Sequence, residues 1–418
     1  MKIKTISKTY EEVMALPRPV HRKPCKPNYF LSAVMRVAGI GDLKQVDFSF
    51  SRRDMEKAGD GPWLILMNHS SFLDLKIASK ILFPKRYNIV CTSDGFVGKE
   101  LLMRKLGCIP TRKFVTDISL ISDINYALNT NKTSVLMYPE ASYSFDGTAT
   151  PLPRKLGVMF KRVRVPVVMI TTYGSFARDP LYNNLQKRDV KVSAEIRCLL
   201  SVDEVKSKSV SEIDSVLYEA FSFDYWKWQQ ENQIVIDEPF RADGLERILY
   251  RCASCGCEDK MLGKGTGLVC GACNKAYVLN QYGLLEAEDG EPVFEHIPDW
   301  YKWERQCVAD DIKNKKYALD VDVEIGMIID YKAVYMIGAG RLSHNEAGFI
   351  LKDSDGKVIY KQPANSCYSL YSDYFWYEIG DMICIGNNDV LFYCFPKGKN
   401  LAAKARIAVE EMYKLSKS

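Results

Sequence analysis

Residues 63–74 read Trp63-Leu64-Ile65-Leu66-Met67-Asn68-His69-Ser70-Ser71-Phe72-Leu73-Asp74. The stretch opens on an apolar run of the length of a buried strand. Asn68, Ser70 and Ser71 then supply turn and helix-start chemistry. Leu75, Ile77, Ala78, Ile81 and Leu82 follow at helical spacing. His69 is thereby expected at the mouth of a strand-to-helix turn, with Asp74 about one turn later. A carboxylate beside a histidine fixes its tautomer and stabilises the charged ring, which makes a general base. Spacing alone also fits a capped structural histidine, because geometry comes before role. His69 is nonetheless the one histidine of four that directly follows an apolar strand-like run.

Strands and helices alternate on either side. Strands are expected at 87–92, 134–138, 163–172 and 190–200, and residues 108–111 lead to Arg112. Helices are expected at 99–106, closed by Gly107, at 117–129 and at about 209–219. This alternation predicts an α/β domain with a central sheet. Such folds place ligands at strand ends. Upstream, Pro17, Pro19, Pro24 and Pro27 forbid a continuous helix, so 1–27 reads as an irregular basic arm. Phe30, Leu31, Val34, Met35, Val37 and Ala38 lie at helical spacing, ended by Gly39 and Gly41. That stripe fits a core helix and an interfacial helix equally.

The chain has 418 residues, enough for two or three domains, and 47% are hydrophobic. Lys+Arg is 57 against Asp+Glu 52, a net +5 that does not imply nucleic acid. Arg154, Lys155, Lys161, Arg162 and Arg164 form a local basic surface suited to an anionic membrane or donor phosphates. The polar N-terminus has no secretory apolar region. The thirteen cysteines are therefore expected to be reduced and the compartment cytosolic, with the protein peripheral on the inner face of the cell membrane. No apolar run approaches the ~20 residues of a spanning helix.

Asn68-His69-Ser70-Ser71-Phe72-Leu73-Asp74 resembles the NH-x4-D motif of the glycerolipid, or lysophosphatidate, acyltransferases. Gly107-Cys108-Ile109-Pro110-Thr111-Arg112, Tyr138-Pro139-Glu140 and Val165-Pro166-Val167-Val168-Met169-Ile170 resemble that family's second, third and fourth blocks, in order. The resemblance covers about residues 60–175 and implies acyl transfer from a CoA or acyl-carrier-protein thioester to a lysophospholipid hydroxyl. It implies His69 as base, Asp74 as its partner, Arg112 as phosphate clamp and Glu140 as acceptor contact or buttress. Asn68 and Ser142 join the substrate-binding set. The third block departs from the family's Pro-Glu-Gly-Thr-Arg-Ser, since Ala141, Ser142 and Tyr143 follow Glu140. Tyr143 stands in place of an arginine, so a second phosphate contact would fall to Arg154 or Lys155. A 1-acyl-sn-glycerol 3-phosphate acceptor, another lysolipid, and a catalytically dead scaffold are the readings kept open.

Gly95-Phe96-Val97-Gly98-Lys99 lacks the spacing of a phosphate loop, and Cys108 has no histidine nearby in sequence. The aromatic run 221–228 suits an interfacial belt or, more often, domain packing. Cys252-x2-Cys255 and Cys270-x2-Cys273, fourteen residues apart, have zinc-ribbon spacing. Four thiolates leave no open coordination position, so the zinc is expected to be structural, with Cys257 spare. A helix is expected at 298–317, then seven short strands between 321 and 395, then a helix at 401–415. This tail resembles a pleckstrin-homology-like barrel in architecture. The expected organisation is 1–240 acyltransferase domain with basic arm, 241–290 zinc ribbon, 291–320 helical linker and 321–418 β-rich domain.

Overall fold

The computed structural model describes residues 2–115, 117–398 and 400–417. The strand that opens residues 63–74, β3 (Leu64–Met67), is completely buried at the centre of a seven-stranded sheet. The other strands are β2 (Ser49–Arg53), β4 (Tyr87–Thr92), β5 (Cys108–Thr111), β6 (Ser134–Met137), β7 (Val167–Tyr173) and β8 (Ser193–Leu200). They follow the order β2-β8-β7-β3-β6-β4-β5. The five strands from β7 to β5 are parallel, whereas β8 runs antiparallel to β7. Strand β3 is apolar throughout because both of its faces are covered. Ile65 and Met67 pack with Ile77, Ala78 and Ile81 of the Asp74–Leu82 helix. Leu64 and Leu66 pack on the opposite face with Met159, Phe160 and Val163 of the Leu156–Val163 helix. The carboxyl ends of β3, β6, β4 and β5 therefore share one edge, and the first three of the four family-like blocks end there.

The N-terminal arm is more ordered than its prolines suggest. Strand β1 (Thr5–Ser7) pairs in parallel with a strand 329 residues later, Thr5 opposite Val334. A short helix at Tyr10–Met14 follows, with Thr9 and Glu12 forming a capping box. The expected 117–129 helix is α-helical only over Ile118–Asn125 and ends in a wider π turn at Tyr126–Thr130. The Tyr29–Ala38 helix has no buried residue, and Phe30 and Val37 are 73% and 65% exposed. It is thus not a core helix.

A four-stranded antiparallel sheet follows, in the order β12 (Leu285–Ala287), β11 (Ala276–Leu279), β10 (Gly267–Cys270), β9 (Met261–Lys264). The Ile297–Lys313 helix leads into β13 (Leu319–Ile328), β14 (Val334–Asn345), β15 (Gly348–Asp353), β16 (Val358–Pro363), β17 (Tyr371–Trp376), β18 (Gly380–Gly386) and β19 (Leu391–Pro396). Their order is β16-β15-β14-β13-β19-β18-β17, all antiparallel, with β1 added beside β14. The C-terminal part is thus mostly β, closed by the Ala402–Leu415 helix. One continuous apolar core runs from Phe145, Phe176 and Trp226 through Tyr277 and Trp300 to Phe392 and Ile407. The aromatic run is part of this packing. Trp226 is 2% exposed and donates through Nε1 to the Asp146 carbonyl at 2.7 Å.

Candidate active site

The chain leaves β3 at Asn68, whose side chain clamps the strand end to β7. Its Oδ1 accepts the Thr172 N–H at 2.9 Å, and its Nδ2 donates to the Thr172 carbonyl at 3.4 Å. His69 follows at the sheet edge. Its Nδ1 lies 2.9 Å from Oδ2 of Asp74, which is 1% exposed. The same oxygen accepts the Ser70 and Ser71 N–H groups at 2.9 and 3.2 Å. This oxygen already accepts two backbone N–H groups, so in the third contact Nδ1 carries the proton it accepts. Nε2 is left as the basic nitrogen.

Glu140 approaches from the end of β6. Its Oε2 accepts the His69 N–H at 3.0 Å, and its Oε1 accepts the Thr150 N–H at 2.9 Å. It buttresses the turn rather than projecting into open space, and burial pushes its carboxyl up to about 7. Tyr138 and Tyr143 cover the two faces of the imidazole, with ring centroids 4.1 and 3.9 Å away. Burial lowers the His69 pKa. Asp74 opposes the shift and the Lys113 charge adds to it.

A cleft opens beside His69, lined by Asn68, Ser70, Thr172, Phe221, Phe223 and Tyr225 among others, with ≈ 30 Å³ of free interior. That is room for two or three waters. The Ser142 hydroxyl is buried in its own loop and donates to the Tyr143 carbonyl at 3.3 Å. Arg112 sits just past the end of β5, and its charge lowers the pKa of Tyr331 against the stronger, raising effect of burial. The cation whose charge is felt at His69 is the neighbouring Lys113, which sequence reasoning passed over. Arg154 lies over the Tyr413 ring at 5.4 Å, and Lys155 is the exposed N-cap of the Leu156–Val163 helix. Neither lines the cleft.

Residues 46–173 match the family model described as Acyltransferase. That stretch is an acyltransferase domain. It holds His69, Asp74 and Glu140, with Arg112 and Lys113 on the same sheet edge. Among solved structures, the chain is similar to the 1-acyl-sn-glycerophosphate (LPA) acyltransferase PlsC from Thermotoga maritima. The match has 14% identity and a TM-score of 0.34, covering 46% of this chain and 79% of that one.

Beyond the acyltransferase domain, the sulfurs of Cys252, Cys255, Cys270 and Cys273 all lie within 4.8 Å of one another. Cys252 and Cys273 are 3.7 Å apart, and Cys255 and Cys270 are 3.8 Å apart. Metal–sulfur bonds of ~2.3 Å arranged as a tetrahedron place sulfurs ~3.8 Å apart, so the four cysteines fit a closed metal site. Cys257 lies outside the cluster.

Proposed function

We propose that the protein transfers a fatty acyl group from a CoA or acyl-carrier-protein thioester to the hydroxyl of a lysophospholipid. The acceptor is 1-acyl-sn-glycerol 3-phosphate and the product phosphatidate. The observation that carries this is the 2.9 Å contact of His69 with Asp74 at the carboxyl end of β3, inside the acyltransferase domain. His69 Nε2 takes the acceptor's hydroxyl proton as its oxygen attacks the thioester carbonyl. The C–O bond forms, the C–S bond breaks, and the imidazolium returns the proton to the leaving thiolate. The positive end of the Asp74–Leu82 helix favours the charge that develops on the carbonyl oxygen. No covalent acyl-enzyme is needed.

Arg112 and Lys113 bring the positive charge an acceptor phosphate requires. Tyr143, where the family has an arginine, supports a second reading in which another lysolipid is the acceptor. Lipid would be met along the Tyr29–Ala38 helix. Phe30, Val34 and Val37 project outward there, and Phe72 and Leu75 are exposed beside the catalytic turn. Among the described residues no helix is long and apolar enough to cross a membrane. Lying on an anionic membrane face through this helix is therefore the contact we assign. The four-cysteine site would hold a structural zinc ion, whose contribution is to fix the ribbon's fold. Acyl transfer from labelled acyl-CoA to a panel of lysolipids tests this reading. Product on lysophosphatidate supports it, product on a different lysolipid selects the second reading, and no product on any favours a dead scaffold.

A further inference from the structure

The loop after Glu140 is held against His69 from inside and gripped from outside by a different part of the chain. On the inner side, the Ser144 N–H donates to the His69 carbonyl at 3.1 Å. The Tyr143 ring lies 3.9 Å from the imidazole and 26° from parallel. On the outer side stands Arg406, from the Ala402–Leu415 helix. Its Nη1 donates to the Tyr143 carbonyl at 3.3 Å, across 263 residues of sequence. Its Nε donates to Ser372 Oγ at 3.2 Å and its Nη2 to the Ser372 carbonyl. The guanidinium also lies 3.5 Å from the Phe145 ring, which packs on Tyr374 of β17 at 4.4 Å. Arg406 is 3% exposed. Burying a guanidinium is costly unless its donors are used. Here they bridge β17 to the loop that covers the catalytic histidine.

We propose that Arg406 is a positioning residue for the catalytic centre. By holding the Tyr143 carbonyl it keeps the Tyr143 ring on His69 and makes the C-terminal β domain a working part of the acyltransferase site. The proposal rests on His69 being the base. Its consequence follows from what surrounds the imidazole. Asp74 faces Nδ1, Tyr138 and Tyr143 cover the two faces, Glu140 holds the backbone N–H, and the Lys113 charge acts on the ring. Freeing the Tyr143 ring admits water to one face, and the His69 pKa then rises toward its ordinary value.

The test is an NMR titration of His69 in the full chain, beside acyl-transfer rates on the acceptor panel. Arg406→Gln, Arg406→Lys, Tyr143→Ala and the Gln/Ala double variant are compared with wild type, each checked for folding by circular dichroism. Arg406→Gln and Tyr143→Ala should each raise the His69 pKa by about half a unit or more, and the double variant by no more than the larger single change. Arg406→Lys keeps the charge and loses the forked grip, so a smaller rise there reports the grip itself. The turnover number should fall about tenfold in Arg406→Gln, with the thioester KM little changed. An unchanged His69 pKa in folded Arg406→Gln overturns the proposal. If that variant does not fold, unchanged values in Arg406→Lys and Tyr143→Ala overturn it equally. A pKa shift in a protein that acylates nothing counts against the reaction assigned to His69 and leaves the Arg406 coupling standing.

Discussion

At the scale of single residues, the account turns on which nitrogen of His69 carries a proton. Asp74→Asn would present an amide to Nδ1 and permit the wrong tautomer. We expect acyl transfer to fall ~10²–10⁴-fold with the fold retained, read from steady-state rates beside circular dichroism. Only neutral His69 acts as a base. Its lowered pKa keeps it neutral above the lowered value, so activity is lost as pH falls through a midpoint under the usual 6.5. An acid limb centred above 6.5 would contradict this. Ala141 sits at φ 56° between the buttress Glu140 and the tyrosine that covers His69. A left-handed alanine costs roughly 1–2 kcal/mol, while glycine there adds ~0.5–1 kcal/mol of unfolded-state entropy. Ala141→Gly should therefore stabilise the protein by up to ~1 kcal/mol in urea unfolding, and destabilisation would refute the strain argument.

At the scale of elements, the strand–turn–helix of residues 63–82 was legible because both periods are clean there. An all-apolar run needs two covered faces, and 77, 78, 81 and 82 need one. Other elements were read less well. Strand β13 begins at Leu319, where Leu, Val, Val and Ile alternate with Asp320, Asp322 and Glu324. The expected linker ran to 320, so the strand's first two residues fell inside it, yet the acids fill the outward positions of a two-residue period. Arg341 of the neighbouring strand β14 pairs with Asp320 and Asp322, which explains their tolerance in a strand. In the Tyr29–Ala38 helix, the apolar stripe was visible and its target was not, since a stripe has the same pattern against protein or lipid. With Phe30 and Val37 both changed to Asp, sedimentation with anionic vesicles should fall at least ~10-fold. Undiminished sedimentation would remove the helix from the lipid contact.

At the scale of the whole molecule, the candidate site is built by residues that no local motif unites. Tyr143 and Arg406 meet across 263 residues, and Asp94 on the β4 side accepts hydrogen bonds from Tyr371 at 2.9 Å and Trp376 at 3.1 Å. Such contacts depend on how the β-rich part docks, which periodicity does not encode. The ribbon shares the same continuous core, including Cys252, Leu268 and Tyr277. Metal removal should therefore be felt beyond the ribbon. One zinc per chain is expected by atomic absorption. Stripping it with a strong chelator should lower the thermal midpoint by several degrees, and an unchanged midpoint would separate the ribbon from that core. The measurement that bears most directly on the central claim is acyl transfer by His69→Ala with labelled acyl-CoA and lysophosphatidate, on protein shown to be folded. The account predicts turnover by wild type and essentially none by the variant. Turnover at the wild-type rate in folded His69→Ala would contradict it.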